Sequence, residues 1–130
     1  MKSNLKSASF FQKAEESLGR AEDFAEQADF DGAALSCYHA VFFSLRGSLI
    51  ELGINVERTS KSIDAFHAEL KARSMDTDAA LWNDLRFVLQ LNGYAQPSVP
   101  INDDNVRLAI EKAAQFIEFT SEKMTKEAEG

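Results

Sequence analysis

The sequence predicts an all-α protein: an up-down antiparallel bundle of four long helices plus one shorter helix. Three observations carry this reading. Apolar residues recur at spacings of three and four over long stretches, which is the helical period. No run alternates apolar and polar residues between turn signals, as a half-buried strand would. Both prolines, Pro97 and Pro100, fall in the single segment "GYAQPSVPIN", so the rest of the chain is free of the strongest helix breaker.

The first helix is expected from about Asn4 to Gln27, with Leu5, Ala8, Phe11, Ala14, Leu18, Ala21 and Ala25 on one face. The joint "ADFDG" follows, where Asp29 or Asp31 can cap the next helix. That second helix is expected from about Asp31 to Leu52. Ala34, Tyr38, Val41, Leu45, Ser48 and Leu52 form its main stripe, and Leu35, Phe42 and Leu49 widen it. So wide an apolar arc predicts a central helix covered on more than one side. Gly53 can take the left-handed conformation that closes it, with Ile54 making the final apolar contact. After the polar "NVERTSKS", Thr59 or Ser60 caps a shorter third helix, about Lys61 to Arg73, with Ile63, Phe66 and Leu70 inward. A fourth runs from about Asp78 to Leu91, with Leu81, Leu85, Val88 and Leu91 inward. Asn102 or Asp103 caps the fifth, whose inner stripe is Val106, Ile110, Ala113, Ile117, Thr120 and Met124. The tail "KEAEG" is expected to fray, leaving one domain over residues 1–130 with its core between about 4 and 125.

A chain of 130 residues can bury a core without disulfides or metals. The one cysteine, Cys37, has no internal partner, which fits a reducing compartment. No apolar segment follows the basic N-terminus as in a secretory signal, and no uncharged run reaches the length of a membrane span. The expected location is the cytoplasm. The net charge of −7 argues against a general nucleic-acid footprint, while leaving room for a local basic site or a basic partner. No cofactor is expected, since the chain has no nucleophile elbow, Gly-rich phosphate loop or zinc spacing.

The residues that stand out are polar groups inside apolar helices. His39 and Arg46 lie a heptad apart on the second helix, close to one azimuth, with Phe42 and Phe43 between them. They read either as a cationic strip that meets phosphate or an acidic partner, or as edge residues paired locally with carbonyls and carboxylates. Tyr38 sits on the deeper stripe, where its hydroxyl needs a partner or a ligand. Asp64 and His67 share a face, but one such pair in a chain with two histidines falls short of a bundle metal site, and no metal is expected. Arg86 stands one turn from Trp82, in place to stack on the indole. Cys37 reads as a buried, inert thiol. Phe10, Phe11, Phe24, Phe30 and Phe119 fall beside the main stripes and are expected to be exposed, as contacts of a dimer.

The order of features also resembles a known family. A central helix carries Ser36, Tyr38, His39, Ala40, Phe42 and Arg46, then Leu49 and Gly53. A Thr59-Ser60 turn follows, then Leu85-Arg86, Tyr94, and a last helix with Ala113, Ala114, Phe116 and Ile117. This series resembles the HEPN domain superfamily, especially its small stand-alone members, over roughly Ser7 to Lys123. The resemblance implies a dimeric helical bundle, often paired with a minimal nucleotidyltransferase in toxin–antitoxin operons or acting in antiviral defence. Active ribonucleases of the superfamily carry an Arg followed by a His about four to six residues on, the His for proton transfer and the Arg for the phosphate.

This chain departs from that pattern. No His follows Arg86 in "FVLQLNGYAQP", His67 is far from Arg58, and His39 precedes Arg46. In the turn after the central helix, where relatives often have a His, it has Lys61. The resemblance therefore implies a non-catalytic or weakly catalytic binding subunit of a toxin–antitoxin or defence-type module. It would act through a protein partner or a second copy, and through RNA or a nucleotide held by Tyr38, His39, Arg46, Lys61 and Arg86. The alternative is a metal-independent ribonuclease with His39 or His67 as acid–base and Arg46 or Arg86 on the phosphate.

Overall fold

The computed structural model describes residues 5–54, 59–72 and 78–124, and these form five helices with no strand. They are α1 (Leu5–Glu26), α2 (Phe30–Glu51), α3 (Thr59–Ala72), α4 (Asp78–Leu91) and α5 (Asp103–Phe119), which a π-helical turn continues over Thr120–Met124. Together they make the expected all-α bundle. Arg58, Arg73 and residues 126–130 lie outside the described residues, as do the side chains of Leu5, Thr59, Ser60, Leu70 and Met124.

The joints follow from local chemistry. Asp29, the first of the two candidate caps, accepts from the Gly32 N–H at 3.0 Å and starts α2. Asn102 caps α5 by accepting from the Asn105 N–H at 2.9 Å. At the end of α2, Gly53 has φ +84°, its N–H donates to the Ile50 carbonyl at 2.9 Å, and Ile54 donates to Leu49 at 2.8 Å. That is the paired closure expected of a glycine C′ residue. Helix α4 ends the same way: Gly93 has φ +78°, and the Tyr94 N–H reaches back to the Leu89 carbonyl at 2.8 Å.

Helix α2 is the centre of the bundle and touches every other helix. Val41, Leu45 and Leu49 meet Phe66 of α3, Leu85 and Val88 of α4, and Val106 and Phe116 of α5 in one core. By length and mean hydropathy α2 also qualifies as a membrane-spanning helix, contrary to the sequence expectation, but 61% of that window is buried inside the protein. Its apolar character serves the core.

Helix α1 packs on α2 through small residues: Ala14, Ser17, Ala21 and Ala25 are buried. Ala8, expected inward, is exposed, and Ser7 takes the inward place, donating to Glu51 Oε2 at 2.5 Å. The approach is close at Gly47, where an added Cβ would stand 3.2 Å from the Phe11 ring and 3.3 Å from Phe10 Cβ. Deeper along the same seam, Ser44 and Thr120 share a short buried hydrogen bond that ties α2 to the end of α5.

Two exposure expectations are corrected. The five phenylalanines proposed as exposed are half-buried, and Phe24, Phe30 and Phe119 pack on the core. Their long rings reach over neighbouring helices even where their Cα atoms lie off the stripe. Leu35 and Phe42, expected to widen the covered arc of α2, lie on its uncovered face; Leu35 is 48% exposed.

Candidate functional site

The uncovered face of α2 carries Leu35, His39, Phe42, Phe43, Arg46 and Ile50. On a water-facing helix this face would be polar. Here its rings join those of α1 and of the loop after α4. Phe10 of α1 and Phe43 lie 6.1 Å apart by ring centroids, Phe43 and His39 6.2 Å, His39 and Tyr38 5.9 Å, and Tyr38 and Tyr94 4.8 Å. Phe42 branches from Tyr38 in a nearly parallel stack, 6.0 Å away with an interplanar angle of 11°. A continuous row of rings thus crosses from α1 over α2 to the loop.

Cations flank the row. The Arg46 guanidinium lies 5.4 Å from the Phe10 centroid and 5.8 Å from that of Phe42. Lys13 Nζ lies 5.4 Å from Phe10 and 5.9 Å from Phe43. Such contacts hold a cation at the surface at little cost in hydration. Arg20, a heptad beyond Lys13, donates to Ser17 Oγ at 3.3 Å and stands near enough to His39 to repel its proton. Partial burial first, and Arg20 second, lower the His39 pKa from its usual 6.5, so the imidazole is neutral at neutral pH. A row of rings with Lys13 and Arg46 over it and Arg20 near His39 forms a surface suited to an anionic ligand that carries flat groups.

The other edge of α1 has the opposite sign. Glu15, Leu18, Ile117, Glu118 and Glu122 line a groove between α1 and α5, and a second hollow is lined by Glu22, Ala25, Glu26, Ile110 and Arg107, the last paired with Asp103. The net charge of −7 is therefore unevenly spread, and a polyanion is turned away from this groove.

The structure places Tyr38, His39 and Arg46 along one side of α2: His39 is exposed, and Arg46 lies over the Phe10 and Phe42 rings. Arg86 joins only indirectly. It does not lie over Trp82; its Nη2 donates to the Gln96 carbonyl at 2.9 Å, two residues from Tyr94. The partner of Trp82 is His67, stacked at 4.2 Å with an interplanar angle of 10° between α4 and α3. Trp82 packs on the core, and neither ring of that pair has a described ring contact with the row. Lys61 is exposed in the first turn of α3, with no described contact to the row. Cys37 is fully buried, and burial, helped by Glu22, pushes its thiol up to about 12.

Sequence reasoning had Phe10 only as a dimer contact and Tyr94 only as part of the family series, and did not single out Lys13 or Arg20. Two signals were present. Lys6, Lys13 and Arg20 recur by heptads on α1, and "NGY" at the end of α4 repeats the glycine closure of "LGI" at the end of α2. Which edge of α1 would meet the uncovered face of α2 was not encoded in either helix alone.

These features define a five-helix bundle with a cation–aromatic surface on its central helix. The HEPN domain family model matches residues 7–124, nearly the whole chain, and the protein belongs to the HEPN domain family. Searches of curated proteins and of solved structures return no match.

Proposed function

We propose that this HEPN-family protein is a cytoplasmic, single-domain binding subunit of a toxin–antitoxin or defence-type module. It takes RNA or a nucleotide along the α1–α2 seam, and it pairs with a second copy or with a partner protein such as a minimal nucleotidyltransferase. The observation that supports this reading is the row of rings with Lys13 and Arg46 over it and Arg20 near His39, on a protein of net charge −7. A local basic patch that persists against the overall charge gives a polyanion one place to bind. The absence of the usual Arg-to-His spacing supports a binding role over cleavage.

Fluorescence anisotropy with labelled single-stranded RNA tests the reading. Binding that weakens with salt, and is lost in the double variant Lys13→Glu/Arg20→Glu, is the expected result. An unchanged affinity in that variant would sink it. Sedimentation at micromolar concentration tests the pairing; a clean monomer alone and with candidate partners removes it.

One observation favours the second reading, a metal-independent ribonuclease. His39 is exposed, neutral at neutral pH and beside Arg20, which is a state fit to accept a proton next to a phosphate-binding group. RNA cleavage in EDTA that disappears in both His39→Ala and Arg46→Ala, each still folded, would replace the binding reading with this one.

A further inference from the structure

We infer that Tyr94 is a base-stacking platform at one end of the seam, and that the ligand is accordingly a strand with unpaired bases. This rests on the RNA-binding reading above and names the form of RNA it takes.

Tyr94 is 62% exposed, the most exposed large ring or aliphatic side chain among the described residues. It is nonetheless held in place. One ring face lies on Tyr38, at 4.8 Å and an interplanar angle of 26°. Its own N–H is fixed to the Leu89 carbonyl at 2.8 Å by the glycine closure of α4. The loop on either side is pinned as well. Asn92 Nδ2 donates to the Ala34 carbonyl on α2 at 2.9 Å, and Arg86 Nη2 donates to the Gln96 carbonyl at 2.9 Å. A ring fixed on one face and open on the other pays little ordering entropy when a flat group lands on it.

Charge selects the occupant. Tyr94 ends a row in which Phe10, Phe42 and Phe43 lie against Lys13 or Arg46 and His39 lies near Arg20, so a ligand spanning the row must carry both negative charge and flat apolar groups. A polynucleotide strand does, with phosphates for the cations and a base for the open face of Tyr94. A duplex does not, because its bases are stacked on one another and present only edges in the grooves. Phe10 has both Lys13 and Arg46 over its ring, which makes it a seat for cations, whereas Tyr94 has no cation among its described contacts. The two ends of the row therefore do different work: charge at Phe10, stacking at Tyr94.

The test is anisotropy titration of a short single-stranded RNA and of its perfect duplex against the intact protein and Tyr94→Ala, Tyr94→Leu and Tyr94→Phe, with folding checked by circular dichroism. Tyr94→Ala and Tyr94→Leu are expected to weaken single-strand binding about tenfold, while Tyr94→Phe keeps it, since the ring face is what matters. The salt slope is expected to stay the same in all three, because no phosphate contact is removed. Single-strand affinity unchanged in Tyr94→Leu, or duplex bound as tightly as single strand, overturns the inference. If the Lys13→Glu/Arg20→Glu variant loses binding while Tyr94→Leu does not, the inference fails and the binding reading stands. If the intact protein binds neither RNA, both fall.

Discussion

The guanidinium of Arg46 on α2 lies over the ring of Phe10 on α1, 5.4 Å from its centroid, and so joins the two helices at the surface as Gly47 lets them approach below it. Arg46→Ala removes the cation and uncovers the ring. The expected result is weaker RNA binding with a salt slope reduced by about one unit, and a stability loss of about 0.5–1 kcal/mol by urea titration. Arg46→Lys is expected to keep the slope and part of the affinity, because an ammonium supplies charge without the flat stacking surface.

His39 predicts a pH dependence. Its folded-state pKa is below 6.5, so the unfolded chain takes up the proton first as the pH falls. This group therefore favours the folded state above pH 6.5, and that contribution fades as the pH drops from 6.5 towards the folded value. Ligand affinity should move the other way, since protonation adds a cation to the seam. Anisotropy from neutral pH downward is expected to show tighter RNA binding below pH 6.5 in the parent protein, and a flat profile in His39→Gln.

Cys37 should resist thiol reagents in the folded protein. It is fully buried, and its pKa of about 12 leaves almost no thiolate at neutral pH. A disulfide-exchange reagent is expected to react only on addition of denaturant, at the rate of unfolding. The sign for stability follows from the same shift: the unfolded thiol ionises near 9.0 and the folded one near 12, so stability falls as the pH rises through that interval.

Ala28 adopts φ +59° at the end of α1, where the Asp29 N–H bonds the Phe24 carbonyl at 2.8 Å. The left-handed conformation crowds a Cβ. Ala28→Gly is expected to raise stability by about 1 kcal/mol, read as a higher denaturant midpoint with an unchanged slope.

The helices were legible because each had a period, a cap and a stop. Asp29, Asn102 and Gly53 do what their residue types imply. The buried faces of α4 and α5 followed from spacing alone, with Leu85, Val88, Val106 and Ala113 inward. The surface was harder to read. In α2 apolar residues point almost all round, so the pattern could not say that Leu35 and Phe42 would be left uncovered. The seam needed the pairing of α1 with α2, a long-range fact set by Ala14, Ala21, Ala25 and Gly47. His39 and Arg46 were found because both interrupt the apolar stretch of α2, whereas Lys13 and Arg20, a heptad apart on α1, and Tyr94 in the loop join them only through the packing of α1 and that loop on α2.

Gly47 is buried beneath Arg46 and Phe43, with the Phe11 ring and Phe10 Cβ within 3.2–3.3 Å of where a Cβ would go. A larger residue there would wedge α1 from α2, carrying Phe10 and Lys13 away from Arg46 and Phe43. Gly47→Leu is expected to cost about 1–3 kcal/mol and to weaken the ligand without touching it. The spacing of Phe10 and Lys13 against Arg46 and Phe43 is thus set from below, by a missing methyl group. On the RNA-binding proposal, a change at this one residue retunes the seam without altering any charged or aromatic group on it.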